Sequence, residues 1–226
     1  MLFNIIFMSH SFSTVFAERT SEILLSTASV RFTPNEPIKL TSGKLSPVYI
    51  DCRRLISFPN ERNELMHMAK QMIDSICYEY AFDSIAGGET AGIAFAAWLA
   101  DLYRLPMQYI RKKPKGFGRN AQIEGELKAG QRVLLVEDLA TDGGSKEVFI
   151  QAIRDAQAIV NTIFVLFYYD IFSESQNVFE KLNTKIIYLA TWRDLLKVAK
   201  LKNSINETEH AAIKRFLDNP KQWSFS

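Results

Sequence analysis

The sequence predicts an α/β fold, a mostly parallel central sheet flanked by helices, and three observations carry that expectation. From residue 84 to about 200, apolar runs of strand length alternate with stretches of helical period, the pattern of βαβ units. Twice in that span a strand feeds directly into a glycine turn and then a helix, at Ser84 to Gly92 and at Arg132 to Ser145. No internal repeat or low-complexity linker interrupts the alternation, so the 226 residues read as one domain. Within it, about 1–17 is expected to be a poorly ordered start and about 18–58 a small N-terminal hood. About 59–200 is the core, and about 201–226 holds a C-terminal helix.

The second glycine unit organises the rest. Val133 to Val136 reads as a buried strand, followed by the adjacent carboxylates Glu137 and Asp138, then Leu139, Ala140, Thr141, Asp142, Gly143, Gly144 and Ser145. An amphipathic helix comes next, with Val148, Phe149, Ala152, Ile153 and Ala156 on one face. Backbone N–H groups of such a turn and the helix dipole favour a bound anion. Thr141 and Ser145 add hydroxyls, and Gly143 and Gly144 admit a phosphate close to the backbone. Successive acids point in different directions, so one suits the vicinal hydroxyls of a ribose and the other a Mg²⁺ or its water. Neither Walker nor Rossmann glycine spacing is present.

Taken in order, residues 18–28 suggest a helix with Ile23, Leu24 and Leu25 as its stripe, and Arg31 to Leu40 short strands broken by Pro34 and Pro37. Thr41 to Asp51 is a turn into a strand. Its Tyr49 fits either stacking on a planar base or a core tyrosine. Asn60 is expected to cap a helix to about Cys77, with Leu65, Met68, Met72, Ile73 and Ile76 inward. The helix after Gly92 carries Ile93, Phe95, Ala96, Trp98, Leu99 and Leu102, and Met107 to Ile110 is a short strand. Of the nine residues 111–119, five are basic and none acidic, and Pro114, Gly116 and Gly118 keep the stretch irregular: the composition of a mobile cationic lid. Ile159 to Phe167 is a buried strand, 173–182 a helix, and Lys185 to Leu189 a strand. Two further helices run from Trp192 to Lys202 and Glu207 to Leu217.

Composition narrows the function. A net charge of +2 gives no global field for nucleic acid. Cys52 and Cys77 are too few for a disulfide scaffold, and His10, His67 and His210 are scattered, which argues against a protein-held zinc and for a reduced, cytoplasmic protein. The apolar run Met1 to Met8 lacks a basic flank and is broken by Ser9-His10-Ser11, so neither export nor a membrane span is expected, and the alternatives are a poorly ordered start or a mis-assigned one with Met8 as initiator.

The acids, the hydroxyls and the glycines of Glu137 to Ser145 resemble the phosphoribosyl pyrophosphate loop of the type I phosphoribosyltransferases. Two more segments resemble the orotate branch of that family: Ser42-Gly43 to Ser46-Pro47 with Tyr49, and Arg111-Lys112 with Lys115 and Gly118, closing at Ile123-Glu124-Gly125. The resemblance implies the type I phosphoribosyltransferase fold with a mobile lid loop. It implies transfer of the phosphoribosyl group of phosphoribosyl pyrophosphate to orotate, giving orotidine 5′-phosphate and pyrophosphate in pyrimidine synthesis. Lys112, Lys115, Glu137 and Asp138 would carry catalysis. The donor would bind Arg111, Lys112, Lys115, the loop Glu137 to Ser145, and Glu89 and Thr90 of the first glycine turn. Orotate would meet Lys44, Tyr49, Thr141 and Tyr169. Mg²⁺ would arrive on the substrate and be met by Glu137 or Asp138 through water. A homodimer sharing lid residues, Arg111 and Lys115 among them, is implied too. Three positions depart from the family: Thr41 where Lys is common, Phe117 where His is common, and Tyr168-Tyr169 where an Arg grips the orotate carboxylate. Another base as acceptor therefore stays open. A donor-sensing regulator is a third reading, although the residues ahead of Ser42 show no helix-turn-helix pattern.

Overall fold

The computed structural model describes residues 2–39, 43, 45–77, 81–114, 122–141, 144–172 and 178–224, the side chains of 2–12, 144 and 145 excepted. The chain opens with helix α1 (Leu2–Ser26), which takes in the start expected to be poorly ordered. The hood follows as two antiparallel pairs, β1 (Val30–Phe32) with β4 (Val48–Ile50) and β2 (Ile38–Lys39) with β3 (Leu45–Ser46). A 3₁₀ helix (Cys52–Ser57) leads to α2 (Pro59–Ile76). Pro59 supplies the first helical position, so Phe58 is the cap and Asn60 lies inside the first turn, not at the cap. Leu65, Met68, Met72 and Ile73 point inward as expected, whereas Ile76, at the last turn, is exposed.

The core sheet runs β10-β9-β8-β5-β6-β7, parallel except for β7. Its members are β5 (Ser84–Gly88), β6 (Met107–Ile110), β7 (Ile123–Glu124), β8 (Arg132–Ala140), β9 (Ile159–Tyr168) and β10 (Lys185–Thr191). The helices α3 (Ala91–Tyr103), α4 (Gly144–Asp155), α5 (Trp192–Leu201) and α6 (Glu207–Asp218) connect or follow them. Residues 173–177 of the expected 173–182 helix lie outside the described residues, and 178–181 form one helical turn. Two apolar layers result. Phe95 and Leu99 of α3, Leu195 of α5 and residues of α1 and α2 pack with Leu134, Val136 and Phe167 on one face. Phe149, Ile150 and Ile153 of α4 pack with Leu135, Ile163 and Val165 on the other. Ile150 occupies the core position that the helical count gave to Val148, which is 43% exposed.

Connections from β5 step through α3 to β6 in one direction, and those from β8 step through α4 to β9 in the other. The reversal falls between β5 and β8, which pair directly from Ser84 with Val133 to Gly87 with Val136. The carboxyl ends of strands at such a reversal splay into a crevice. At the opposite end Arg132 clamps the pair. Its Nε and Nη2 donate to Asp83 at 2.9 and 2.7 Å, and those bonds hold the Asp83 carboxyl down at about 2. A group with a lowered folded-state value adds stability above the usual carboxylate range and loses it as pH falls through its own value. Acid unfolding of Asp83→Asn, followed by circular dichroism from pH 5 to 2, should therefore show a shallower acid dependence than the wild type.

Trp192 at the start of α5 is fully buried, edge-on to Phe167 at 5.2 Å, Tyr169 at 5.5 Å and Phe32 at 6.4 Å. It joins hood, sheet and helix layer, so Trp192→Ala should lose about 3–5 kcal/mol in urea denaturation.

Candidate active site

β8 continues as strand through both acids, beyond the Val133–Val136 span that the apolar pattern suggests. Its neighbour β9 is ten residues long and offers ladder partners to the end, pairing Glu137 with Val165, Leu139 with Phe167 and Ala140 with Tyr168. Pairing thus overrides the low strand preference of two carboxylates. Strand alternation then separates them. Glu137 turns towards α4, where its Oε2 lies 3.1 Å from Lys146 Nζ, and both side chains are nearly inaccessible. Asp138, partly exposed, turns towards the hood and feels Arg53 and Cys52 of the 3₁₀ helix.

Burial pushes the Glu137 carboxyl up to about 6, while Lys146 and, more weakly, Lys112 pull it back. Burial likewise raises Asp138 against the pull of Lys146 and Arg53. Glu137 Oε1 is buried with no hydrogen-bond partner. It sits against the other glycine turn. A Cβ on Gly88 would run into Glu137 Oε1 and the Phe149 ring, and a Cβ on Gly92 into Glu137 Oε1 and the Val136 carbonyl oxygen. Those glycines let the β5–α3 turn close down on the carboxylate.

Several of the remaining expected residues are described near the acids or the cationic stretch. Glu89 Oε2 accepts the Lys112 backbone N–H at 2.8 Å, which brings the first glycine turn to the root of the cationic stretch. The Glu89–Thr90 peptide is cis, and Thr90 is exposed. Arg111 is held at that root. Its N–H donates to the Gln122 carbonyl at 2.8 Å, its Nε to Glu124 at 2.9 Å, and its guanidinium lies 5.8 Å from the Tyr109 ring centre. Lys112 is exposed. Leu139 is partly buried, Ala140 fully buried and Thr141 partly exposed, and the Ala140 carbonyl accepts from the Tyr169 N–H at 2.9 Å. Gly144 and Ser145 begin α4. Lys44, Thr41, Lys115, Phe117, Gly118, Asp142 and Gly143 lie outside the described residues.

On the hood side Tyr49 is partly exposed, and Arg31, its partner across β1 and β4, stands 5.9 Å from the ring centre. Tyr169 is buried, parallel to Phe172 at 6.4 Å and edge-on to Phe167 and Trp192. Burial raises its hydroxyl well above the usual tyrosine range, with Cys52 and Tyr49 adding to the effect. Tyr169 thus belongs largely to the core, and Tyr49 is the more accessible ring. Among the described residues no group of three or more His, Cys, Asp and Glu side chains could hold a metal, and no helix is long and apolar enough to cross a membrane.

Two acids thus stand at the reversal of strand order, with a glycine turn closing on Glu137 and with Lys146, in the first turn of α4, 3.1 Å from it. Comparison with known proteins identifies the family. The phosphoribosyl transferase domain model matches residues 55–176. The orotate phosphoribosyltransferase of Agrobacterium fabrum is 49% identical over 93% of this chain and 91% of its own. The chain belongs to the orotate phosphoribosyltransferase family. Among solved structures, orotate phosphoribosyltransferase from Aeropyrum pernix aligns at a TM-score of 0.69 and 25% identity, over 82% of this chain and 99% of that one. Leishmania donovani UMP synthase aligns at 0.76 and 29% identity over 92% of this chain, which spans 42% of that longer one.

Against this family frame, reading the sequence missed Lys146 and Arg53. Lys146 had a signal, since it shares the inner stripe of α4 with Phe149, Ile150 and Ile153 at helical spacing. A lysine on a buried stripe asks for a buried partner. Arg53 had none.

Proposed function

We propose that the protein transfers the phosphoribosyl group of phosphoribosyl pyrophosphate to N1 of orotate. The C1–O bond to pyrophosphate breaks, its electron pair leaves with the pyrophosphate, and N1 bonds to C1, giving orotidine 5′-phosphate. The observation that carries the reading is the acid pair at the strand-order reversal, with Glu137 packed beneath the first glycine turn.

Each part then has a task. The α4 N-terminus and the Thr141 turn receive the 5′-phosphate. Glu137 and Asp138 accept from the ribose hydroxyls. Glu89 and Thr90 line the side from which pyrophosphate leaves, and Arg111, Lys112 and Lys115 supply positive charge there. Tyr49 stacks on the base, with Lys44, Thr141 and the edge of Tyr169 completing its pocket. The partly exposed Asp138 carboxylate suits a Mg²⁺ carried in on the diphosphate and met through water. When bound, the ion neutralises charge that develops on the departing pyrophosphate. We place the reaction in the cytoplasm, in a homodimer whose lid residues cross to the neighbouring subunit.

The test is a product assay with phosphoribosyl pyrophosphate, Mg²⁺ and a panel of bases. Orotidine 5′-phosphate from orotate is expected, and consumption of adenine, guanine or uracil with orotate untouched would overturn the assignment. Sedimentation at assay concentration should return the mass of a dimer.

A further inference from the structure

Orotate is a uracil with a carboxylate on C6, the ring atom next to the N1 that bonds to C1 of the ribose. That carboxylate therefore sits where base and sugar meet, on the side of the acid that faces the hood. Two anions at one junction repel unless a cation stands with them. The neighbouring strand end offers none: β9 closes on Tyr168, and the chain runs on through Tyr169 and Asp170.

The hood does offer one. β4 carries Tyr49 and runs through Asp51 into the 3₁₀ helix, which packs against β8. Cys52 is fully buried there, and the next side chain, Arg53, emerges 60% exposed. Its guanidinium feels both the Asp138 carboxylate and the Tyr49 hydroxyl, so it stands between the sugar side and the base side of the crevice. Asp51 anchors it: Nε donates to Asp51 Oδ1 at 2.7 Å, and the same oxygen accepts the Arg53 backbone N–H at 3.2 Å. Nη1 and Nη2 have no hydrogen-bond partner among the described residues. The other nearby arginines differ. Arg54 Nε donates to the Thr27 carbonyl at 3.2 Å and so belongs to the packing of the hood. Arg31 lies across β1 and β4 at 5.9 Å from the Tyr49 ring centre and is not among the main charges acting on Asp138.

We propose that Arg53 is the specificity-determining cation of the acceptor site: held by Asp51 at Nε, its outer pair of N–H groups grips the C6 carboxylate of orotate. Two parallel donors in a rigid plane match the two oxygens of a carboxylate. The inference rests on the orotate reading above and adds to it the residue that tells orotate from uracil, the same ring without the carboxylate. Asp51 acts through Arg53 as a positioning residue, because it fixes the plane of the guanidinium.

The test compares orotidine 5′-phosphate with uridine 5′-phosphate, which lacks only the carboxylate, by calorimetry in wild type, Arg53→Met, Arg53→Lys and Arg31→Gln. In the wild type the carboxylate should tighten binding on the order of tenfold to a hundredfold, the worth of hydrogen bonds to a charged group. In Arg53→Met that ratio should fall to about threefold or less, and the KM for orotate should rise by a like factor while kcat changes less. A loss that passes through Asp138 or the sugar falls on both nucleotides and cancels in the ratio. Arg53→Lys, which keeps the charge but not the fork, should retain part of the ratio, and Arg31→Gln should retain all of it. Arg53→Gln gives the same reading if Arg53→Met folds poorly. An unchanged ratio in either folded variant, or its collapse in Arg31→Gln, would overturn the inference, as would equal affinities in a wild type that makes orotidine 5′-phosphate. A wild type that makes none would instead bring down the proposed function, and this inference with it.

Discussion

Gly92→Ala is expected to cost the protein most of its affinity for phosphoribosyl pyrophosphate, on the order of a hundredfold, and about 1–3 kcal/mol of stability. On helix preference alone the change should help, because alanine in a helix is favoured over glycine by roughly 1 kcal/mol. The contact reverses the sign. The new methyl would lie 2.5 Å from the Val136 carbonyl oxygen, which is backbone in the middle of the sheet and cannot yield, and would strike Glu137 Oε1. The turn must lift or the carboxylate must leave its seat, and either change opens the floor of the crevice. Calorimetry with Mg²⁺ and a urea denaturation curve check the two parts separately. A variant that gains stability and keeps its affinity would show that the turn and the carboxylate are independent.

Asp138→Asn should fold normally and turn over roughly 10²- to 10³-fold more slowly. The amide matches the carboxylate in shape but cannot offer a second acceptor oxygen or a charge. Burial already pushes the Asp138 carboxyl up, so the folded protein bears a cost to keep it ionised, and the neutral amide removes that cost. The thermal midpoint should then hold steady or rise while kcat falls. A fall in both would assign Asp138 to the framework and not to the ligand.

Much of this architecture is legible in the chain itself, because hydrophobic period and strand alternation are local. Met107 to Ile110 falls where the residues put it, and so do Ile159 to Tyr168, Trp192 to Leu201 and Glu207 to Asp218, within a residue or two. What escapes is whatever a partner imposes. β8 keeps pairing through Glu137 and Asp138 because β9 runs alongside, which no reading of β8 alone contains. Val148 turns out and Ile150 in because α4 is seated against Ile163 and Val165, and a two-residue difference on a helix cannot tell which flank will face the sheet. The proposed donor loop is a contiguous motif and is readable as such. Its support comes from Lys146, Gly88, Gly92 and Arg53, two of which lie about fifty residues away on another strand unit.

The seam between β5 and β8 has a dynamic corollary. Each strand belongs to a separate winding half of the sheet, and among the described residues the strand pairing between the halves is the ladder Ser84–Gly87 against Val133–Val136. A ligand lodged above that stitch touches both halves at once and acts as a rivet. It can bind only while the seam is shut, so saturating donor lowers the open population by the ratio of its concentration to its Kd. Amide protons bonded across the Ser84–Gly87 and Val133–Val136 ladder should therefore exchange with deuterium more slowly in the loaded enzyme, while those of the outer strand β10 report little change.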